Sequence, residues 1–432
     1  MLSLVLVCLL LAMNLEAKTW RPNVVLIMVD DLGYYDLGCY GHPSIKTPIL
    51  DKLAATGIRL TSFYSGATVC TPSRMALLTG SYPTRLGWSK GVIGYMIPTS
   101  QGLSPRALTM AEIFTESDYA TGLFGKWHLG DHPQYRPHRQ GFETSFYIDK
   151  SNNQTTKLWD RDDVIQDPFE NRLLTEQFTN KAKTFILKNK DAPFFLYLPY
   201  TAPHFPVEPH PEFKGTSTFG SYGDVVQELD FRIGEILRTL EEVEIDKQTI
   251  VVFLSDNGPQ SGEQAQAKPF RGMKWDALEG GTRVPCIVSW PGVIPAKKES
   301  NALIAAIDLL PTLTHACGIN WQSFNSGISK VDGVNVWDTL IGKPQTTHPR
   351  KELLYWHGSK GFHAIRVGEW KLFPQASHAK LAESGAALFH LTNDPEEQIN
   401  LSQKHPYRVS QMKALAEERL ADILNGALFL GE

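Results

Sequence analysis

The chain has 432 residues, 42% of them hydrophobic and 20% charged, with Lys+Arg 42 against Asp+Glu 46 and a formal net charge of −4. This is the profile of a soluble globular chain with a sizeable core, and it excludes a largely disordered chain or a coiled coil. The 34 Gly and 27 Pro follow no collagen-like period, and no basic run offers a footprint for nucleic acid, so no nucleic-acid partner is expected.

The first 17 residues are apolar, too short to span a bilayer comfortably, and end in Leu15-Glu16-Ala17, a tolerable small-residue cleavage site. The expectation is a signal peptide over 1–17. It places the protein in a secreted, periplasmic or lysosome-like exported compartment, with no stable membrane association. The stretch lacks Lys and Arg, so a buried first strand or an anchor stays open as the alternative. Of five cysteines, too few for a disulfide scaffold, Cys8 lies in this segment, and Cys39, Cys286 and Cys317 read as small buried residues. Sequons at Asn153 and Asn400 matter only in a glycosylating host.

The first continuous apolar run, Val24 to Val29, suits a strand buried on both faces and stops at Asp30-Asp31-Leu32-Gly33. Helical patterns follow at Pro48 to Thr56 and Leu108 to Thr115, and again at Thr175 to Leu187. A second apolar run, Phe194 to Leu198, leads to Ala202-Pro203-His204; a helical pattern covers Tyr222 to Val243. The third run, Thr249 to Leu254, stops at Ser255-Asp256-Asn257-Gly258. Strands alternating with helices predict an α/β fold with a large, mostly parallel sheet sandwiched by helices. From about residue 345 short strands follow one another, and a helical pattern from Pro406 to Asn425 closes the chain. They predict a smaller C-terminal antiparallel sheet with a helix on it. The division expected is 18–344 for the catalytic domain and 345–432 for the C-terminal subdomain, with the linker region between Asn320 and Pro349.

Polar groups thus stand just past the ends of several apolar strands, the edge where open α/β sheets bind ligands. Turn-making alone explains one such Asp; it explains several paired hard ligands less well. Asp30-Asp31 and Asp256-Asn257 offer four oxygen donors, which suit Ca²⁺ or Mg²⁺ better than zinc. Cys70-Thr71-Pro72-Ser73-Arg74 opens a helical run, so the Cys faces the positive end of the helix dipole, where an anionic or activated group is favoured. Taken alone, that Cys is as readily a small buried residue.

The wider sequence narrows the choice. Cys-x-Pro-x-Arg followed by Leu77-Leu78-Thr79-Gly80 is the signature stretch of the sulfatases. Gly125-Lys126-Trp127-His128-Leu129-Gly130 and Ala202-Pro203-His204 also match, as do Gly272-Met273-Lys274-Trp275 and Asp308-Leu309-Leu310-Pro311-Thr312. The chain resembles a type I, formylglycine-dependent sulfatase of the arylsulfatase A-like kind, in the alkaline phosphatase superfamily. That resemblance implies hydrolysis of sulfate monoesters on a sulfated small molecule or glycan. It implies that Cys70 is oxidised to formylglycine (3-oxoalanine) by a formylglycine-generating enzyme and hydrated to a geminal diol. One hydroxyl attacks sulfur; the second, once deprotonated, expels sulfate. Asp30, Asp31, Asp256 and Asn257, with Cys70, match the ligands of one Ca²⁺, preferred over Mg²⁺. Arg74, Lys126 and Lys274 match cations around the diol and the sulfate. His204 is assigned as the acid to the leaving alcohol and His128 as the base on the second hydroxyl, with Lys274 a rival donor.

Lys268 and Arg271 are rivals for the role of Lys274. Tyr34, Asp36, His42, Trp88, His132 and His138 have structural roles at least as readily as pocket ones. The loops Gly87 to Pro105, Asp131 to Phe142 and Gly258 to Phe270 are expected to shape the substrate pocket. Two readings compete: a phosphatase or phosphonate hydrolase, which wants two metals and a Ser or Thr nucleophile, and a pseudoenzyme, which would lack a key residue.

Overall fold

A computed structural model describes residues 21–262, 264–324, 330–344, 348–382 and 384–430; the expected signal peptide and Cys8 lie outside them. The strands of the main sheet are β1 (Asn23–Val29), β2 (Ile58–Leu60), β3 (Ala120–Lys126), β4 (Thr144–Ile148) and β5 (Leu158–Asp160). β6 (Asp163–Gln166), β7 (Phe194–Pro199), β8 (Thr249–Ser255), β9 (Cys286–Ser289) and β10 (Lys298–Ser300) complete it. These ten strands lie in the order β10-β2-β9-β8-β1-β7-β3-β4-β5-β6. The central strands β8, β1, β7, β3 and β4 are mutually parallel. Antiparallel pairs flank them, β8 with β9 and β9 with β2 on one side, β4 with β5 and β5 with β6 on the other. The expected parallel sheet is therefore the middle of a mixed one.

The apolar run of β1 has the cause inferred from its sequence. Val24, Leu26 and Met28 enter one core, Val25, Ile27 and Val29 the other, with the period of two that a pleated strand imposes. Helices α1 (Pro48–Thr56), α4 (Leu174–Asn189) and α5 (Gly220–Glu242) cover the second face; α2 (Cys70–Thr79), α3 (Met110–Thr115) and α6 (Leu309–Ala316) cover the first.

Strands β11 (Glu352–His357), β12 (Gly361–Val367), β13 (Trp370–Phe373) and β14 (Ala387–His390) form an antiparallel sheet in sequence order. One face packs Ile365, Leu372 and Leu388 on Met412 and Ala416 of α7 (Pro406–Leu424). The other sends Ala364, Phe373, Ala387 and Phe389 into the main core. A buried charge network crosses the junction. Lys371 Nζ lies 2.9 Å from Glu279 Oε1 and 2.9 Å from Glu397 Oε1, all with side chains fully buried. No helix among the described residues is long and apolar enough to cross a membrane. Cys286 and Cys317 are buried as expected; Cys39 is only half-buried, its backbone N–H held by Asp51.

Candidate active site

Sheet register gathers the site. Val29 pairs with Ser255 and Met28 with Pro199, so β1, β8 and β7 end together, beside β3. Asp30-Asp31 follow β1 and Asp256-Asn257 follow β8. Lys126 closes β3, with His128 just beyond, and His204 lies past β7. Close backbone contact at this edge needs glycine: a Cβ on Gly125 would stand 2.0 Å from the Pro199 carbonyl oxygen. Cys70 is the first residue of α2, a helix buried along its whole length. Its start is tied down by Thr71, whose Oγ1 donates to the His128 carbonyl at 3.0 Å and accepts from the Ile93 N–H at 3.2 Å. Asp31 (φ 68°), His128 (φ 59°) and Trp275 (φ 79°) adopt left-handed backbone conformations. Such positions cost about 1–3 kcal/mol each for an ordinary residue and gather at functional sites.

The side chains form one knot. Arg74 donates to Asp256 Oδ2 through Nε at 3.1 Å and Nη2 at 2.8 Å, and its Nη1 donates to the Lys126 carbonyl at 2.7 Å. Lys126 Nζ donates to Asp30 Oδ2. Lys274 Nζ stands 2.7 Å from Asp31 Oδ1, which makes Lys274 the lysine of the site ahead of Lys268 and Arg271. Cys70 Sγ lies 3.3 Å from Asp30 Oδ1. His204 Nε2 points to Asp31 Oδ2 at 3.7 Å, and His128 Nε2 faces the Ile93 carbonyl at 2.9 Å. Since that carbonyl only accepts, His128 carries its proton on Nε2; its buried Nδ1 has no partner among the described residues. The structure thus brings every expected site residue to one place.

Electrostatics separates their roles. Burial opposes charge on Asp30, but Lys126, with His204, Arg74 and Lys274, overrides it and holds the carboxyl well below its usual value. Burial, then Asp30, pushes Asp256 up to about 7 despite Arg74, so this corner is short of positive charge. Burial, then Lys126, keeps His128 well below its ordinary value, and burial, then Lys274, lowers His204 to about 4. Burial and then Asp30 push the Cys70 thiol up to about 12. Burial thus favours the neutral form of the unmodified thiol.

The donors fit a hard cation. Asp30, Asp31 and Asp256 bring carboxylate oxygens within 4.8 Å of one another, and Asn257 Oδ1 is buried without a hydrogen-bond partner among the described residues while its Nδ2 donates to Asp31 at 2.7 Å. Asp30, Cys70 and His204 form the other metal-sized group among the described residues. Both contain Asp30, so there is one locus.

A cleft of about 370 Å³ opens over Cys70, His204 and Lys274, with Tyr95, Phe205 and Trp275 as aromatic walls and Asn153, Gln154 and Gln260 as amides. The expected loops supply Tyr95 and Gln260. The 131–142 loop reaches only a neighbouring cleft, through Asp131; the wall it was expected to build comes from residues 151–154. Trp275 follows Lys274 in the chain, and its backbone N–H donates to the Thr68 carbonyl at 2.9 Å. Trp88 is fully buried and donates to Gly91 O at 2.9 Å, and Asp36 accepts from Gly33, Tyr222 and Gln266, so both are structural. His42 caps Ser44 and Ile45, and Tyr34 packs on Tyr40 and Phe270. Neither His132 nor His138 lines the cleft.

The sulfatase family model matches residues 22–319, and a model for the C-terminal region of N-sulphoglucosamine sulphohydrolase matches residues 274–425. The chain is 31% identical to N-acetylgalactosamine-6-O-sulfatase of Bacteroides thetaiotaomicron, with 92% of this chain and 93% of the relative covered. It is 33% identical to human arylsulfatase A, with 88% and 83% covered. Among solved structures, Ps i-CgsB bound to k-i-k-neocarrahexaose is similar at a TM-score of 0.82 and 28% identity, covering 95% of each chain.

Proposed function

Because the chain belongs to the sulfatase family and is a sulfuric ester hydrolase, we propose that it removes sulfate from a sulfated sugar or polysaccharide fragment at the Cys70 site. The observation that carries this reading is the convergence at Cys70 of three buried carboxylates, three cations and two histidines around a single locus. A two-metal phosphatase finds no second locus among the described residues, and no member of the set is missing as a pseudoenzyme would require. Relatives named as N-acetylgalactosamine-6-sulfatases and a similar structure in complex with k-i-k-neocarrahexaose support a glycan substrate. Aromatic walls facing amides suit a sugar ring with hydroxyl groups.

Asp30, Asp31, Asp256 and Asn257, with the group at position 70, would hold one divalent ion, Ca²⁺ ahead of Mg²⁺. Bound there, it supplies Lewis-acid stabilisation of charge on the sulfate oxygens. Converted to formylglycine by a maturing enzyme, Cys70 supplies a hydrated aldehyde whose hydroxyl is the nucleophile. The high thiol pKa supports that reading, since an unmodified thiol would be neutral and poorly nucleophilic near neutral pH.

The chain's own side chains do the rest. Three carboxylates balance Arg74, Lys126 and Lys274, so a divalent ion leaves a net positive pocket for an anionic ester. His128, neutral with a free buried Nδ1, is placed to take a proton. His204 turns Nε2 inward and serves as acid once the sulfate's negative charge favours its protonated form; Lys274, held charged by Asp31, is the rival donor. Segment 1–17 serves export, 18–344 forms the catalytic domain and 345–432 the C-terminal subdomain.

Mass spectrometry of the tryptic peptide Leu60 to Arg74 tests the chemistry. Active protein is expected to lack an alkylatable thiol at Cys70; an intact thiol in fully active protein would overturn the formylglycine reading. Elemental analysis is expected to find one Ca²⁺ per chain, and two tightly bound zinc ions would favour a phosphatase.

A further inference from the structure

His204 is not held by the cleft alone. Its Nδ1 lies 3.0 Å from Asn152 Oδ1 and 2.7 Å from the Phe205 carbonyl. Asn152 is buried, and its Nδ2 donates to Asn171 Oδ1 at 2.8 Å. Asn171 sits at the approach to α4, and its Nδ2 donates to the Pro206 carbonyl at 3.0 Å. A backbone carbonyl can only accept, so Pro206 fixes the polarity of the whole series. Asn171 must turn its amide nitrogen to Pro206 and its oxygen to Asn152. Asn152 must then turn its nitrogen to Asn171 and its oxygen to His204. The ring is left with one consistent state, Nδ1–H directed outward and Nε2 directed at Asp31 and the reaction centre.

We propose that Asn152, itself oriented by Asn171, is a positioning residue for the acid–base histidine: the Phe205 carbonyl already requires a proton on Nδ1, and the two amides add a second acceptor that holds the ring of His204 in that direction. This rests on the acid role given to His204 above. A freely turning imidazole would spend part of its time with the wrong nitrogen inward, and proton transfer needs hydrogen-bond reach and direction. Asn171 adds a second restraint by gripping the backbone two residues beyond the histidine. Phe205 stacks on the ring at 4.7 Å and closes its other side.

The two roles separate by leaving group. A sugar alkoxide needs a proton as it departs, and a nitrophenolate hardly does. Asn152→Leu removes the acceptor, Asn152→Asp keeps an oxygen in its place, and Asn171→Leu frees Asn152 to turn over. With a sulfated sugar, Asn152→Leu is expected to lose about tenfold or more in kcat at nearly unchanged KM, within the about 10²–10⁴-fold that general acid catalysis supplies. With nitrophenyl sulfate the loss is expected to stay under about threefold. Asn152→Asp is expected to retain most of the sugar activity, and Asn171→Leu to fall between, which keeps the test open should Asn152→Leu not fold. Full sugar activity in Asn152→Leu would overturn the inference and leave the Phe205 carbonyl as the sole orienting group. Equal losses on both substrates, unrelieved in Asn152→Asp, would overturn it as well, in favour of loop packing. His204→Ala run alongside separates the layers: equal losses there on both substrates would remove the acid role itself.

Discussion

At the scale of single residues, the site divides into groups that hold it together and a group that does not. Cys70 lends the core little beyond one sulfur atom, so Cys70→Ala is expected to abolish turnover yet cost only about 1 kcal/mol of stability. Asp256 is different, because it accepts two hydrogen bonds from buried Arg74. Asp256→Ala leaves that guanidinium short of its main counter-charge and is expected to cost about 3–5 kcal/mol as well as activity. Urea denaturation of both variants, read beside their turnover, checks the contrast. Asp256 was legible in the sequence as a hard ligand at a strand end, and Cys70 through the Cys-x-Pro-x-Arg stretch it opens. Asn152 was not. It lies next to the Asn153 sequon, and nothing in its spacing tells that its amide meets a histidine 52 positions later. Nor could the sequence choose between an activated and a buried thiol at Cys70 from its helix position, since burial cannot be seen in a motif.

Elements set how firmly those residues are held. The β11–β12 turn reaches back from the C-terminal sheet to the catalytic edge: Gly358 donates to Thr68 Oγ1 at 2.7 Å, and a Cβ there would stand 2.5 Å from the Trp275 ring and 2.6 Å from Val69 Cγ1. Those neighbours precede Cys70 and follow Lys274. Gly358→Ala is therefore expected to cost about 1–3 kcal/mol and to lower kcat, although the residue touches no substrate; thermal melting and turnover measure the two effects. At the same turn His357, His363 and His378 stack at centroid distances of 4.4 and 3.7 Å. Burial, then Lys360, lowers His357 to about 4, and burial, then His378, lowers His363 to about 3; Asp276 opposes the first and Lys380 adds to it. Each folded value lies below the roughly 6.5 of an unfolded histidine, so the unfolded chain binds protons the fold refuses. Their stabilisation is present above pH 6.5 and is lost as pH falls below it. His363→Gln is expected to lose less stability than the parent between pH 7 and 5 in urea titrations. Of the central strands, β1, β7 and β8 were readable as continuous apolar runs, and β4 was not read as a strand. Nor was β3, because Gly122 and Gly125 interrupt its pattern, and the antiparallel flanks were hidden because direction leaves no trace in strands of three or four residues.

The whole molecule is bound across its two sheets by charge as well as by apolar packing. Lys371 on β13 answers Glu279 beside the catalytic edge and Glu397 beyond β14. Burial and then the neighbouring Glu279 raise Glu397 to about 7, with Lys371 the main restraint. Lys371→Met takes the shared cation from between the two acids, leaving Glu279 with Arg283 at 3.4 Å and Glu397 with no paired cation among the described residues, and is expected to cost about 3–5 kcal/mol. The raised carboxyl sets the sign of the pH response. The fold takes up a proton that the unfolded chain does not, so stability is regained as pH falls through about 7, and the deficit of the variant is expected to be smaller at pH 6 than at pH 8. Calorimetry at the two pH values measures it. The two-sheet division was visible in the sequence as a change of texture near residue 345. Its seam was not, since the partners of Lys371 lie on either side of it in the chain.

The burial of Cys70 carries a consequence for order in time. Its side chain starts a helix buried along its whole length and lies at the floor of the cleft, where only 2% of the residue is accessible. Another protein cannot reach that sulfur in the finished fold. On the proposed chemistry, maturation then belongs to the life of the nascent chain, before β8 and the C-terminal hairpin arrive. Folded, unconverted protein is expected to stay inactive when incubated with the maturing enzyme, while a synthetic Leu60 to Arg74 peptide is converted. Efficient activation of the folded chain would overturn this ordering.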